Sequence, residues 1–367
     1  MSKNCSAEPN FYKPVILISP LDWGLGHATR CIPIIRFLQD IGCQVIIGGS
    51  ELVRAVLQPE FPSLEFLEMP SYNITYAADR RRQKFKLMLQ TQKILTMIKR
   101  ERRQIGEILA SRKIDGIISD NRFGCYDPRV PSVIITHQLA VRSPFGKAGH
   151  LLARIFNYRF LRNFDECWVP DTDREPGLAG SLSHPASQPP IPLHYLGPLS
   201  RMKPQNCSTR RDLLLLLSGP EPQRTLLENR LRESFAHSDK KILLVRGLPS
   251  GNNHTVRREG NLEVVDFLTS AELEKAISES ELIVSRSGYT TVMDLAAMGK
   301  PAHFIPTPGQ PEQEYLATHL AAHGYCTTSS QEDFKAEDLL QPRGLLPASD
   351  PGVFVRVLKR WVNTLKT

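Results

Sequence analysis

Long hydrophobic runs are missing from this chain. No stretch approaches the roughly 20 consecutive apolar residues that a membrane-spanning helix needs, which excludes a helical integral membrane protein. The N-terminal MSKNCSAEPNFYKP has no apolar core before Val15, so export through a signal peptide is not expected. The seven cysteines form no CxxC and no paired spacing with histidine. A scattered, odd set of thiols argues against a disulfide framework or a zinc site, and for a reducing cytoplasm. Aromatic residues are only 7% of the chain and few accompany the basic clusters. With no recognisable nucleic-acid module either, nucleic acid is not an expected partner.

What remains is the composition of a soluble globular protein, 41% hydrophobic and 23% charged, with 367 residues, enough for two domains. Lys plus Arg number 46 against 38 Asp plus Glu, a net +8. A basic balance of this size suits anionic ligands or an anionic membrane surface.

The first half reads as α/β. Val15 to Ser19 is a buried strand, followed by a turn with Gly24, Gly26 and His27, helical spacing to Gly42, and a second strand at Val45 to Ile47. Ligands of open α/β sheets bind at such strand ends. The turn is not the dinucleotide fingerprint, because the third glycine is absent and His27 follows the second directly. A histidine at a helix start is held towards its neutral form and suits a general base; a capping or packing histidine is the alternative. Strands at Ile114 to Ser119 and Val133 to Thr136 deliver Asp120 and His137 at their carboxyl ends. Asp120 is placed to orient an imidazole and His137 to touch an acceptor or a sugar, unless either serves as a loop residue that satisfies backbone amides. Residues 79–103, from Arg80 to Arg103, and Leu151 to Phe164 are basic amphipathic helices, either solvated outer faces or surfaces that rest on an anionic bilayer.

After a Pro/Ser/Gly loop from Glu175 to Pro192 and a polar linker to Arg211, the α/β pattern restarts. Leu213 to Leu217 is a strand that leads into Ser218-Gly219. Further strands follow at Lys241 to Arg246 and Leu262 to Phe267. Leu282 to Val284 is a strand that ends in Ser285-Arg286-Ser287-Gly288, with helical spacing from Thr290 to Met298 and a stop at Gly299 and Pro301. A turn of this kind presents unpaired amides at a helix N-terminus and suits a phosphate; an ordinary βαβ turn is the alternative. The fold class expected is α/β with two Rossmann-like domains around a cleft, residues 1–205 and 206–350. Residues 351–367 form an amphipathic helix packed back on the first domain.

Ser285-Arg286-Ser287-Gly288, Thr291-Val292, Asp294, Ala297 and Gly299-Lys300-Pro301, with Gln313 and Glu314 downstream, resemble the nucleotide-sugar signature of glycosyltransferase family 28. That family includes the lipid II-forming N-acetylglucosaminyltransferases. The Gly24–His27 turn resembles its N-terminal glycine loop, so the similarity reaches both ends of the chain. The resemblance implies the GT-B fold, with the acceptor on the first domain, around Gly24, Gly26 and His137, and the donor on the second. It implies inverting, metal-independent transfer with no cofactor beyond the UDP-sugar co-substrate. By position, Asp294 would bind ribose, Ser287, Gly288, Thr290 and Thr291 the diphosphate, Gln313 and Glu314 the sugar, and Leu268 the base through its backbone. Ser218 and Gly219 would form a second phosphate loop and Arg201 a phosphate contact. His27, oriented by Asp120, would be the base. Pro220 and Pro222 in the loop after Gly219, Asp294 in place of a longer glutamate, and Glu314 in place of an amide depart from the pattern.

The expectation is therefore a UDP-sugar-dependent glycosyltransferase, cytoplasmic and at the inner face of the membrane if the basic helices dock there. Its acceptor is a lipid-linked sugar, a glycan or a small molecule. A UDP-sugar hydrolase on the same scaffold, and a non-catalytic GT-B module of a membrane-associated complex, are the alternatives.

Overall fold

The computed structural model describes residues 12–72, 80–141, 146–219, 221–248, 256–344, 346 and 350–365. The readings that concern residues before 12, the side chains of 80–91 and Pro220 lie outside these. The first sheet has β1 (Val15–Pro20), β2 (Gln44–Gly49), β3 (Glu65–Glu68), β4 (Gly116–Asp120), β5 (Ser132–Ile135), β6 (Glu166–Val169) and β7 (Leu193–Tyr195). Its strands are all parallel, in the order β3-β2-β1-β4-β5-β6-β7. Its helices are α1 (Gly26–Asp40), α2 (Glu51–Leu57), α3 (Arg80–Ser111) and α4 (Gly146–Leu161).

The second sheet has β8 (Arg211–Leu216), β9 (Ile242–Val245), β10 (Arg257–Glu259), β11 (Leu262–Val265), β12 (Ser280–Ser285), β13 (Ala302–Phe304) and β14 (Thr327–Thr328). The order is β10-β11-β9-β8-β12-β13-β14, with only β10 antiparallel to its neighbour. Its helices are α5 (Gln223–Phe235), α6 (Ser270–Ser278), α7 (Tyr289–Met298) and α8 (Pro311–Ala322), and α9 (Pro351–Thr364) closes the chain.

The central strands are the apolar runs of the sequence. VILISP in β1 and LIVS in β12 are buried because helices cover both faces of a parallel sheet. The short strands β3, β7, β10 and β14 carry no apolar run and were not foreseen; they lie at or next to the sheet edges. Both sheets wind the same way and reverse direction at one place, between β1 and β4 in the first and between β8 and β12 in the second. Crevices open at such switch points, beyond the strands' carboxyl ends. His27 follows β1 and Asp120 ends β4. Ser218 follows β8, and the Ser287–Thr291 turn follows β12.

The C-terminal helix leaves the second sheet and packs on the first. Asp350 caps it by accepting from the Gly352 amide at 2.8 Å. Trp361 meets Trp168 of β6 edge to face, ring centres 5.5 Å apart, and lies over Gly116 of β4 so closely that a β-carbon there would sit 2.7 Å from the indole. Phe354 packs on Phe37 of α1 in the same manner, and Arg360 donates to Glu166 at 2.6 Å.

Candidate active site

On the first domain, the turn after β1 aims the start of α1 at the second domain. A β-carbon on Gly26 would lie 2.5 Å from the Thr290 hydroxyl, so glycine lets the α1 and α7 N-termini meet. His27 Nδ1 lies 3.2 Å from Asp120 Oδ1. Asp120 is fully buried, and Arg30, one helical turn beyond His27, grips it: Nε donates to Oδ2 at 2.7 Å and Nη2 to Oδ1. The same Nη2 lies 2.9 Å from His27 Nδ1. Burial and then the Arg30 charge lower the His27 pKa, with Asp120 working the other way. Burial opposes ionisation of Asp120, but Arg30 and His27 outweigh it and hold the carboxyl well below the usual range.

His137, at the end of β5, is not open to an acceptor. Its ring stacks on Tyr289 with centres 3.9 Å apart, and Nε2 lies 2.9 Å from Glu312 Oε1. Gln138 donates to the other Glu312 oxygen, and the Tyr289 hydroxyl donates to the Pro170 carbonyl at 2.7 Å. Burial opposes the Glu312 charge, but His137, then His27 and Arg30, hold its pKa low. Glu312 is thus a carboxylate of the second domain set against His137, His27 and Arg30 of the first. The domains are also joined where the Ser181 amide and hydroxyl reach the Tyr315 oxygen at 2.8 and 2.9 Å.

At the start of α5 the Glu221 carboxylate accepts from the Thr225 amide at 3.2 Å, whereas α7 of the second domain, and α1 across the cleft, begin without a side-chain cap or an acidic residue in the first turn. Their free amides and dipoles offer anion sites. Gly288 is the extended N-cap of α7, and Thr290 and Thr291 are half-buried in its first turn. Ser287 is wholly buried and donates to the Gln313 carbonyl at 2.8 Å, tying α7 to α8 rather than facing a ligand. Arg286 is buried among carbonyls, donating to Gln223 O at 2.8 Å and Ile305 O at 3.1 Å; burial pulls it down to about 10. Ser218 and Gly219 are exposed at the end of β8, with Gly219 at φ +101°. Leu268 is half-buried between β11 and the capping box of Thr269 and Glu272 that starts α6.

Asp294 and Arg201 come together near the domain junction. Ser200 donates to Asp294 at 2.6 Å, and Arg201 Nε is buried with no partner among the described residues. Burial lowers the Arg201 pKa and raises Asp294 to about 6, with Ser200 and Arg201 opposing the latter shift. Gln313 accepts from the Thr307 amide and donates to Gln310, and Glu314 accepts from the Gly309 amide, all at 2.9 to 3.0 Å. Both shape the loop before α8, and the neighbouring Glu312 is the carboxylate that faces the cleft.

The Asp294 shift carries a testable cost. A carboxyl with a folded pKa above its unfolded value contributes stability below about pH 4 that is lost as pH rises through 6. Asp294→Asn removes that loss. It is expected to stabilise the protein at pH 8 by on the order of 1–2 kcal/mol after solvent screening, with no gain at pH 4. Thermal unfolding at both pH values checks it; an equal difference at both would contradict the assignment.

On the outer face of the first domain, α4 exposes Leu151, Leu152, Ile155 and Phe156 at 48, 68, 56 and 41%. Exposed Arg159 and Arg162 border them, and a groove of about 290 Å³ between α3 and α4, lined by Ile98, Phe123, Tyr126 and Phe160, opens beside Lys99. Contiguous exposed apolar side chains of this kind mark interaction surfaces. Among the described residues no helix is long and apolar enough to cross a membrane, and no three His, Cys, Asp or Glu are grouped to hold a metal.

Sequence reasoning missed Arg30, Glu312 and Tyr289. Arg30 had a local signal, three residues after His27 on the same helix face; the other two act only through contacts across the domains.

Residues 218–342 match the glycosyltransferase family 28 C-terminal domain. The chain is 29% identical over 150 residues, 40% of its length, to the UDP-N-acetylglucosamine–N-acetylmuramyl-(pentapeptide) pyrophosphoryl-undecaprenol N-acetylglucosamine transferase of Haemophilus ducreyi, of which it spans 42%. It is 37% identical over 97 residues to the enzyme of the same name from Rhodopseudomonas palustris, 26% of each chain. The chain thus spans less than half the length of these curated relatives. Among solved structures, the glycotransferase of kitacinnamycin superposes with a TM-score of 0.60 at 16% identity, covering 96% of both chains. MurG of Acinetobacter baumannii does so with 0.52 at 16%, covering 97% of this chain and 91% of that one. The fold is that of the GT-B glycosyltransferases.

Proposed function

We propose that this chain, whose second half matches the glycosyltransferase family 28 C-terminal domain, transfers a sugar from a UDP-sugar to an acceptor hydroxyl, with inversion and without a metal. One observation carries the reading: the His27–Asp120 pair at one switch point meets the uncapped α7 N-terminus at the other, Gly26 against Thr290. A base and an anion site thus face each other across one cleft. Asp294 and Arg201 would hold the ribose and phosphate of UDP, and the α7 amides, with Thr290 and Thr291, the diphosphate. His27 takes the acceptor proton as the hydroxyl oxygen bonds to the anomeric carbon. The bond from that carbon to the diphosphate oxygen breaks on the opposite face, through an oxocarbenium-like transition state. The α7 dipole stabilises the charge that develops on the leaving UDP. Glu312, beside His137, is placed to accept from sugar hydroxyls.

The exposed α4 face, with Arg159 and Arg162 beside it, supports a lipid-linked acceptor met at an anionic membrane surface by a cytoplasmic, peripheral enzyme. The experiment presents UDP-sugars in EDTA, then a polyprenyl-linked acceptor in anionic vesicles. A UDP-sugar is expected to raise the melting temperature, and transfer to follow with the vesicles. Leu152→Glu with Ile155→Glu should abolish vesicle binding and leave the thermal shift intact. Release of free sugar at the same rate with and without acceptor would overturn transfer in favour of hydrolysis.

A further inference from the structure

Arg30 stands where a two-residue base needs nothing. It is 2% exposed, beneath His27, and its fork already spans both Asp120 oxygens. One nitrogen does double duty: Nη2 points at Asp120 Oδ1 and also lies 2.9 Å from His27 Nδ1. A guanidinium has only donors, so that contact is a hydrogen bond only when Nδ1 carries a lone pair. Neutral His27 then has its proton on Nε2, the nitrogen free for the cleft. The competing arrangement, Nδ1–H donating to Asp120, has the longer separation of 3.2 Å and sets an N–H against an N–H of Arg30.

We propose that Arg30 is a positioning residue that holds the resting His27 in the Nε2–H tautomer. The free enzyme then presents a donor to the cleft, and the base appears only once His27 changes tautomer and Nδ1–H turns to Asp120. This deepens the transferase reading and rests on it for its consequence: a water that enters before the acceptor meets an N–H, not a lone pair, so the UDP-sugar is spared. Arg30 meets the Asp120 charge and, with burial, outweighs the pull of Asp120 on a proton at the imidazole. The other ionisable groups that face His27 are His137 from the end of β5 and Glu312 from α8; Cys31 from α1 lies against Asp120 and Tyr289 from α7 stacks on His137, their pKa values raised by burial. Removing Arg30 leaves His27 as the nearest cation for Asp120, which favours both Nδ1–H and the imidazolium.

The test reads the free protein and needs no sugar donor, so it stands apart from the test of transfer. Protein labelled with 15N-histidine is compared with its His27→Asn variant to assign the His27 resonances. The wild type is expected to show neutral His27 as the Nε2–H tautomer. Arg30→Met should switch it to Nδ1–H and raise its titration midpoint by about 1 to 3 units. A buried Asp120 without Arg30 endangers the fold, so the wild-type tautomer alone also decides: an Nδ1–H form there overturns the proposal. An unchanged midpoint in a folded Arg30→Met protein overturns it as well.

Discussion

Replacing His27 with alanine is expected to slow sugar transfer by roughly 10²- to 10⁴-fold, the usual contribution of a positioned general base. The substitution removes the imidazole 3.2 Å from Asp120 and leaves the second domain untouched. UDP-sugar affinity, read as the ligand-induced rise in melting temperature, should stay near that of the wild type. A lost kcat with retained donor binding separates a base from a donor-binding residue. The pH profile gives a second signature. Burial and Arg30 lower the His27 pKa, so the unprotonated form that the base requires persists to lower pH. The acid limb of the wild-type profile should therefore lie below the ordinary histidine range, with full activity at pH 7. Near-wild-type turnover in His27→Ala would place the base elsewhere, and Glu312 is the next carboxylate facing the cleft.

The largest loss of stability should come from Glu101, on the inner face of α3. Its fully buried carboxylate accepts from Arg122 Nε at 2.7 Å, the Tyr72 hydroxyl at 2.9 Å and the Gly124 amide at 3.0 Å. Burial raises its pKa and Arg122 works against that. These contacts brace residues 121–124, the turn that continues β4 beyond Asp120. Glu101→Ala strands Arg122 in the interior and leaves two further donors unmet. It is expected to cost about 3–5 kcal/mol and lower the melting temperature by about 10 °C. Paired with Arg122→Met the loss should shrink, because two apolar groups replace an unmatched charge. A double-mutant cycle by thermal denaturation measures the difference. Additive costs would show that the two residues act independently.

These residues also show how far the sequence speaks. The central strands were legible because a parallel strand buried on both faces is a plain apolar run, as in Val15–Ser19 and Leu213–Leu217. The glycine turns were legible because a helix start and a tight turn are set by neighbours in the chain. Edge strands such as EFLE and LHY have no such signature; pairing alone makes them strands. Residues 79–103 are read by their positive charge, of which Lys93, Lys99, Arg100 and Arg103 are exposed on α3, and that charge misses Glu101 on the buried side. Glu312 escaped for a different reason. Its meaning lies in contacts 174 and 175 residues away, with Gln138 and His137, whereas Gln313 and Glu314 sit in the recognisable motif. Adjacent helical residues point about 100° apart, so a motif fixes a neighbourhood and leaves direction open.

The path of the C-terminal helix sets how such a cleft can open. The chain passes between the sheets twice, once after β7 and once into α9. Two bodies joined by a single tether swing in any direction; two separated tethers act as the pins of a door and favour rotation about the line through them. The Trp361–Trp168 contact fixes the second pin on the first domain. A rotation about that line would part Gly26 from Thr290 and His137 from Glu312 together.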